Sequence, residues 1–246
     1  MPKFDRELLE EQFAAWVAGW GISLTPAQLD QFGRYLSLLL AWNQRLNLTA
    51  VRQPRAIQIR HFLDSLSCLP LMGDMNGRCL IDVGTGAGFP GLPLKIASPG
   101  LQLTLVESVR KKARFLRAVV EELALPDVKI VTERVELLGQ LPPYREQFDW
   151  AVARAVAPMP VLAEYLLPLC RIGGQMLAQK GGSAPVETAA AETAFHVLGG
   201  ANQRLHLVEL PETAEQHYLV IVDKLAATPS RYPRRIGVPA KRPLGR

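Results

Sequence analysis

The sequence predicts an α/β fold: a seven-stranded, mostly parallel sheet with a helical region before it. From Gly77 onward, short β-rich segments alternate with segments of helical period, which is the pattern of strands joined by helices on both faces of a parallel sheet. Before Gly77, apolar residues recur at helical spacing. With 246 residues, of which 48% are hydrophobic, the chain is long enough to bury a sizeable core.

Residues 1–72 form the predicted helical region. Apolar residues from Leu9 to Trp20 follow a helical period, and residues 25–28 (TPAQ) have the form of a capping box with proline at the first helical position. His61 and Asp64 also lie in this region. They fit a role in helix packing or capping at least as well as a role in an active site, and both interpretations stay open.

Residues 73–224 form the predicted sheet domain. Its strand and helix segments are, in order, RCLIDV, GLPLKIA, LQLTLVE, VRKKARFLRAVVEEL, VKIVTE, FDWAVARAV, VLAEYLLPL and GGQMLAQK. One further helix near VETAAAETAFHVL and two strands, QRLHLVEL and HYLVIV, complete the domain. We expect the last two strands to form an antiparallel pair.

Residues 225–246 form a basic C-terminal tail. The tail has six basic residues and no acid, so removing it from the total charge of +5 leaves residues 1–224 at −1. Such a tail is typical of an arm that contacts a polyanion, nucleic acid above all, although it also fits a solvated tail that only aids solubility. The basic residues are Arg231, Arg234, Arg235, Lys241, Arg242 and Arg246.

Composition excludes several classes of protein. No apolar run approaches the roughly 18 residues of a membrane helix, and the first residues do not resemble a signal peptide. The three cysteines are odd in number and widely spaced, which fits neither a disulfide framework nor a zinc site. We therefore expect a cytoplasmic protein with no membrane contact and no metal.

A glycine-rich turn follows the first predicted strand, in residues 79–94 (CLIDVGTGAGFPGLPL). Open α/β sheets bind ligands at the carboxyl ends of their strands, where glycine allows close backbone approach and the next helix offers its N-terminus. Glu107 ends the next strand about 20 residues later, where an acid commonly holds the hydroxyls of a ribose. Both parts of a nucleoside site are therefore predicted.

Two cofactors compete for this site. A dinucleotide fold requires a third glycine, where this chain has Phe89. The pattern D-x-G-x-G-x-G instead resembles the first motif of class I S-adenosylmethionine-dependent methyltransferases, which have a Rossmann-like fold. That resemblance implies that the cofactor lies against the turn formed by Asp82, Gly84, Thr85, Gly86 and Gly88.

More specific motifs surround this turn. They are NLTAV (47–51), RHFLDSL (60–66), VESVRKKARFLR (106–117), ERVE (133–136), FDWAVARAV (148–156) and YPRRIGVPAKRPL (232–244). In this order they resemble the RsmG family, also called GidB, of bacterial 16S rRNA guanine-N7 methyltransferases, over nearly the whole chain. The resemblance implies 16S rRNA or the small ribosomal subunit as substrate and a monomeric enzyme.

The family resemblance also implies positions for the cofactor, S-adenosylmethionine. Gly84 and Phe89 would contact it from the turn, and Glu107 with Ser108 would border its ribose. Glu107 departs from relatives that have aspartate, which should shift the ribose contact slightly. The remaining positions are Val135 and Glu136, which would flank the adenine, and Arg154, which would close the site at the end of the fourth strand.

The chemistry implied at guanine N7 needs no deprotonation, because its lone pair is already nucleophilic. Transfer would depend on proximity and orientation, and neither Cys68 nor Cys170 lies in the context of a cysteine nucleophile. We assign no catalytic residue. The candidate RNA contacts besides the tail are the basic face of the helix after Glu107, which also fits a solvated face, and a lysine at another strand end: Arg110, Lys111, Lys112, Arg114 and Lys180.

Two other functions stay open: an NAD-dependent oxidoreductase, and a non-catalytic RNA-binding protein with a methyltransferase fold. Phe89 argues against the first, and the intact cofactor motifs argue against the second. Binding of labelled S-adenosylmethionine against NAD would test the first. A methyl-transfer assay on small ribosomal subunits would test the second.

Overall fold

The structure, a computed structural model, describes the backbone of residues 3–245 and the side chains of residues 11–245. Met1, Pro2 and Arg246 lie outside the described residues, as does the side chain of Leu9. None of the helices within residues 3–245 combines the length and the hydropathy that a membrane span requires.

Helices and strands alternate from residue 79 onward, as the sequence predicts. The helices are α1 (Lys3–Ala18), α2 (Pro26–Leu46), α3 (Pro54–Ile57), α4 (Asp64–Leu66), α5 (Leu69–Met72), α6 (Gly91–Ala97), α7 (Arg110–Glu122), α8 (Val135–Leu138), α9 (Met159–Leu166), α10 (Ala184–Ala190), α11 (Glu192–Val197) and α12 (Val238–Lys241), with a π-helical segment, Gln58–Leu63, between α3 and α4. The strands are β1 (Cys79–Val83), β2 (Gln102–Val106), β3 (Val128–Val131), β4 (Phe148–Arg154), β5 (Cys170–Lys180), β6 (Gly200–Val208) and β7 (His217–Lys224).

The seven strands form one sheet in the order β3-β2-β1-β4-β5-β7-β6. Strands β1 to β5 run parallel to one another, whereas β7 runs antiparallel to both β5 and β6. This confirms the predicted mostly parallel sheet with an antiparallel pair at its end. The chain crosses over between β1 and β4, so a crevice for a ligand is expected at the carboxyl ends of these strands.

The N-terminal helices pack on the same core as the sheet. The predicted capping box is present: Gln28 N donates to Thr25 Oγ1 at 3.3 Å, and Thr25 N donates to Gln28 Oε1 at 2.8 Å. The Gln28 amide also donates to the carbonyl of Ile96 in α6 at 2.8 Å. An aromatic ring on α2, that of Tyr35, stacks on Phe89 with centroids 5.6 Å apart. The helical region therefore supports the glycine-rich turn directly.

Two segments differ from the sequence prediction. The single helix expected near residues 186–198 is two short helices, α10 and α11, which are separated at Ala191. The C-terminal segment is not a free arm, because Tyr232 and Pro239 are buried and α12 packs against α9. Its apolar residues bury surface against the sheet domain, which a count of charges does not reveal.

Candidate functional site

The glycine-rich turn connects β1 to α6 at the carboxyl edge of the sheet. Gly84, Gly86 and Gly88 have φ values of +68°, +62° and +102°, which side chains disfavour. A Cβ at Gly84 would lie 2.7 Å from Cγ2 of Val156. A Cβ at Gly86 would meet nothing nearer than the carbonyl oxygen of Gly84 at 3.9 Å. The space beside Gly86 is therefore free for a ligand.

Asp82, near the end of β1, supports this turn through hydrogen bonds. One oxygen of its carboxylate accepts a hydrogen bond from Thr85 Oγ1 at 2.6 Å and another from Gly91 N at 2.8 Å. The other oxygen, Oδ1, has no partner among the described residues. Burial raises the pKa of the Asp82 carboxyl to about 6, against the hydrogen bonds from Thr85 and Gly91, which favour the ionised form.

Glu107 joins the turn to the end of β2. Its carboxylate accepts from Gly86 N at 3.1 Å and from Val109 N at 2.7 Å. A carboxylate offers about four lone-pair positions, so these two bonds leave capacity to accept from a pair of hydroxyls. The donor set thus fits a ribose beside Gly86, and the open space at Gly86 fits the cofactor that the sequence motifs imply.

A cavity of 290 Å³, which we call the loop cavity, opens beside the turn. It lies between the ends of β1, β2 and β4 and the start of α8, and both apolar and polar side chains line it. The lining residues are Val83, Gly84, Val106, Ser108, Glu133, Arg134, Val135, Glu136, Val156, Ala157, Tyr165 and Ala240. Four of the predicted cofactor residues, Gly84, Ser108, Val135 and Glu136, are therefore brought together in one cavity.

A second cavity, of 660 Å³, lies at the same edge near the ends of β4 and β5. We call it the histidine cavity. Its lining residues are Val51, Arg60, His61, Asp64, Arg154, Ala155, Gln179, Lys180, Gly181, Gly182, Ser183, Glu215, Gln216 and His217. Because β7 is antiparallel, its first residue, His217, reaches the edge where β4 and β5 end.

Asp64 is the central acid of the histidine cavity. Its Oδ2 lies 3.0 Å from Nη1 of Arg154, and its Oδ1 lies 3.5 Å from Nδ1 of His217. The hydrogen bond that His217 donates to Asp64 raises the pKa of His217. Burial and the nearby Arg154 guanidinium lower the pKa of His61 to about 4, so this histidine is neutral at pH 7.

Phe89 and Arg154 connect the turn to the histidine cavity. Phe89 is buried, and its ring lies 4.7 Å from the ring of His61 and 4.8 Å from the guanidinium carbon of Arg154. Residues 154–157 border both cavities, because Arg154 faces one and Ala157 the other. The structure therefore places Arg154 on the histidine side rather than against the loop cavity.

The predicted RNA contacts differ in how free their side chains are. On α7, Arg110, Lys111 and Arg114 are exposed and Lys112 is half-buried, and none forms an ion pair with a described side chain. Lys180, by contrast, lies 2.6 Å from a carboxylate oxygen of Glu187. In the C-terminal segment the exposed cations are Arg231, Arg235, Lys241 and Arg242.

Arg234 differs from the other cations of the C-terminal segment. Its Nε lies 2.9 Å from Oε1 of Glu164, and its Nη2 lies 2.5 Å from Oε2 of the same residue, whose side chain is fully buried. Two of its three guanidinium nitrogens, Nε and Nη2, are thus bonded within the protein. We therefore expect Arg234 to contribute less to RNA contact than the exposed cations of this segment.

Sequence reasoning left some of the cavity residues out. The role of His61 and Asp64 could not be decided from the sequence, although both lie in a quoted motif. Tyr35, which supports the turn by donating from its hydroxyl to the carbonyl of Ala87, was not predicted either. His217 carried no sequence signal beyond its place at the start of a strand. Among the residues with described side chains, no group of three or more His, Cys, Asp or Glu could hold a metal ion.

Comparisons with known proteins agree with this geometry. The family GidB, described as rRNA small subunit methyltransferase G, matches residues 28–218. The ribosomal RNA small subunit methyltransferase G of Roseiflexus castenholzii is 52% identical over 92% of this chain and 95% of that protein. The protein of the same name from Chloroflexus aggregans is 52% identical over 92% of this chain and 94% of its own length.

Solved structures support the fold. An S-adenosylmethionine-dependent O-methyltransferase of Thermotoga maritima superposes with a TM-score of 0.53 at 13% identity, over 78% of this chain and 72% of that chain. At this identity the likeness concerns the fold alone. The class I methyltransferase fold predicted from the sequence is confirmed.

Proposed function

Because this chain belongs to the rRNA small subunit methyltransferase G family and uses S-adenosylmethionine, we propose that it methylates N7 of a guanosine in 16S rRNA. The observation that carries the proposal is the pair of cavities at one edge of the sheet, which residues 154–157 separate. The loop cavity, at 290 Å³, has a size suited to a nucleoside. The other is larger and lined by polar side chains.

The loop cavity and the turn would hold the cofactor. Gly86 would allow its close approach, and Gly84 and Gly88 let the turn pack closely against Val156 and Leu92. Asp82 and Thr85 hold the turn in shape through their hydrogen bond. Glu107 and Ser108 would border its ribose, and Val135 with Glu136 would flank its adenine. When bound, S-adenosylmethionine supplies an electrophilic methyl group on a sulfonium. Phe89 would act through packing, since its buried ring holds His61 and Arg154 in place.

The histidine cavity would receive the target guanine. Arg154, Asp64 and His217 form a connected polar group there that could orient the base. We assign no general base, because the N7 lone pair attacks without losing a proton. The residues of this chain would then contribute by fixing the base, excluding water and keeping His61 neutral beside Arg154.

RNA outside the target nucleotide would contact two groups of exposed cations. One is the basic face of α7, with Arg110, Lys111, Lys112 and Arg114. The other is the outer face of the C-terminal segment, with Arg231, Arg235, Lys241 and Arg242. Such contacts gain free energy by releasing counterions from the phosphates. Lys180 would contribute from the histidine cavity while paired with Glu187.

The setting of the reaction follows from its substrate. We expect the enzyme to act in the cytoplasm, where small ribosomal subunits are made, as a monomer. We also propose the organisation in three parts: helices over residues 1–72, a cofactor-binding domain over residues 73–224 and the basic segment over residues 225–246.

The test is to map N7-methylguanosine in 16S rRNA from a strain that lacks this chain. We expect one modification to disappear and to return with the wild-type gene, but not with a variant carrying Gly86→Val. An unchanged N7-methylguanosine map, or a methyl group lost from another atom, would contradict the proposal. An unchanged map is also the result expected of a protein that binds RNA without catalysis.

The absence of a general base has its own test. Single-turnover methylation should vary little between about pH 6.5 and 8.5, a range above the ordinary carboxyl pKa values. The pKa values of Asp82, about 6, and His61, about 4, also fall below it, whereas the pKa of His217 is raised toward it, so His217→Gln is measured beside the wild type. A steep rise across this range that His217→Gln removes would instead indicate a proton transfer through His217.

A further inference from the structure

The C-terminal segment forms part of the wall of the loop cavity. Ala240, in α12, lines this cavity together with Val135 and Glu136. The backbone N–H of Gly237 donates to Oε1 of Glu136 at 3.0 Å. Residues that stand more than 100 positions apart in the sequence, Glu136 and Gly237, are thus joined at the rim of the cavity.

A buried ion pair anchors this segment. Arg234 donates to Glu164 from its backbone N at 2.7 Å and from its guanidinium, where Nη2 lies 2.5 Å from Oε2. Glu164 lies in α9 with a fully buried side chain, so its charge has no access to water. A buried carboxylate needs such a partner, because losing the partner leaves an uncompensated charge.

The other side of the segment is braced by the loop after α8. Gln140 Nε2 donates to the carbonyl of Pro233 at 2.7 Å, and Arg145 Nη1 donates to the carbonyl of Tyr232 at 2.7 Å. A Cβ at Gly139 would lie 2.7 Å from Cγ of Pro233, which shows how closely the two backbones approach. The segment is therefore fixed on both sides of the point where Gly237 meets Glu136.

We propose that residues 237–240 form the outer wall of the adenosine half of the cofactor site, and that Arg234, just before them, is the positioning residue that holds this wall through Glu164. The wall would present Ala240 to a purine nucleoside opposite Val135. The inference rests on the proposed function in one respect, the assignment of Val135 and Glu136 to the adenine. It gives the C-terminal segment a role in cofactor binding in addition to its outward cations.

The test that leaves the ion pair intact is Ala240→Phe. Ala240 is exposed and lines the loop cavity, so we expect a phenyl ring there to take up space in that cavity. The matched control is Ile236→Phe, an exposed residue of the same segment that does not line the cavity. Calorimetry would measure the affinity of each full-length protein for S-adenosylmethionine and for adenosine.

We expect Ala240→Phe to weaken the binding of both ligands by about 30-fold, about 2 kcal/mol, and Ile236→Phe to change it less than about twofold. Adenosine is the informative ligand, because it contains only the half that the wall would contact. Wild-type affinity for adenosine in folded Ala240→Phe would overturn the proposal. Because no RNA is present, the result does not depend on which atom of the rRNA is methylated.

Arg234 is tested by two variants with the same two ligands. Arg234→Gln should weaken adenosine binding by about 10-fold, and Arg234→Lys should restore most of it, since lysine keeps a charge for Glu164. If Arg234→Gln does not fold, Arg234→Lys and Ala240→Phe still decide the proposal. A folded Arg234→Gln protein with lowered thermal stability but wild-type affinity would show that the ion pair serves the fold alone.

Discussion

The loop cavity and the histidine cavity lie at one edge of the sheet, yet the chain builds them differently. The main elements of the first are short stretches at the ends of β1 and β2 and at the start of α8. The glycines after β1 determine the backbone conformation of the turn beside it. The second takes side chains from a π-helical segment, from the ends of β4 and β5 and from the start of an antiparallel strand. One sequence motif is therefore enough to predict a site formed by a backbone turn, whereas a site formed by side chains from distant elements cannot be predicted from one motif.

The two cavities also differ in charge. The charged residues that line the loop cavity are two acids, Glu133 and Glu136, and one cation, Arg134, which lies 3.8 Å from Glu136. The histidine cavity contains three cations, Arg60, Arg154 and Lys180, that pair with acids. We therefore expect changes in the first to act on cofactor affinity and changes in the second to act on the transfer step.

The largest effect should come from the loop cavity side, with Gly86→Val. The new side chain would fill the space beside Glu107 and force valine into a left-handed backbone, so affinity for S-adenosylmethionine should fall by about 1,000-fold or more. Calorimetry on the folded protein measures this.

The matched control for this variant is Gly73→Val. Gly73 also has a positive φ, +69°, and a Cβ there would meet nothing within 4 Å. It carries positive-φ backbone strain away from both cavities and should bind the cofactor normally. Equal affinities in the two variants would show that strain alone, and not lost space, explains the result.

On the histidine side, Arg154→Met should act on the transfer step. Asp64 would lose its ion pair inside the protein, and the base would lose a group that orients it, so the single-turnover rate should fall by about 100-fold. Affinity for S-adenosylmethionine should stay within about threefold. The opposite pattern, lost affinity with an intact rate, would return Arg154 to the cofactor side.

Arg78→Met is the control for Arg154→Met. Arg78 is half-exposed and pairs with Asp149 at 3.2 Å at the opposite end of β1. Exposed pairs contribute little, about 0–1 kcal/mol. This variant should therefore leave both the rate and the affinity unchanged.

The pH dependence of stability should reveal the neutral His61 of the histidine cavity. Its folded pKa of about 4 lies below the ordinary value of 6.5. Its stabilising contribution is therefore complete above pH 6.5 and is lost as the pH falls from 6.5 to 4. From the size of the shift, the loss should be about 3 kcal/mol in the free energy of unfolding.

Urea unfolding between pH 4 and 7 would measure this effect. In His61→Gln the fall should be smaller by that amount, because glutamine does not titrate. His196→Gln, which changes an exposed histidine of α11 outside both cavities, is the matched control. Parallel profiles for wild type and His61→Gln would show that protonation of His61 does not lower the free energy of unfolding.

The smallest effect concerns the cations outside both cavities. Lys111→Gln with Arg114→Gln should weaken rRNA binding by about fivefold near 0.15 M salt and reduce the slope of log affinity against log salt by about 1.5. Filter binding across a salt series measures both. Arg204→Gln, which removes from β6 a cation that is paired with Asp223 of β7, should leave the slope unchanged.

Several features of this protein follow from its sequence alone. The alternation of strands and helices predicted the sheet, and the glycine spacing after β1 predicted the turn with three positive φ values. The quoted motifs predicted the family, which is confirmed. These features are local: they depend on residues a few positions apart, where backbone geometry follows directly from the residue type.

Only the tertiary structure decided which charges are free and which side chains share a cavity. Arg234 and Arg235 are neighbours of the same type in the sequence, yet the first is held by the buried Glu164 and the second is exposed. Asp64 likewise meets His217 only because β7 runs antiparallel. Partners 70 or more residues apart are set by how the elements pack, and burial, which gives an ion pair its strength, is a property of the whole fold.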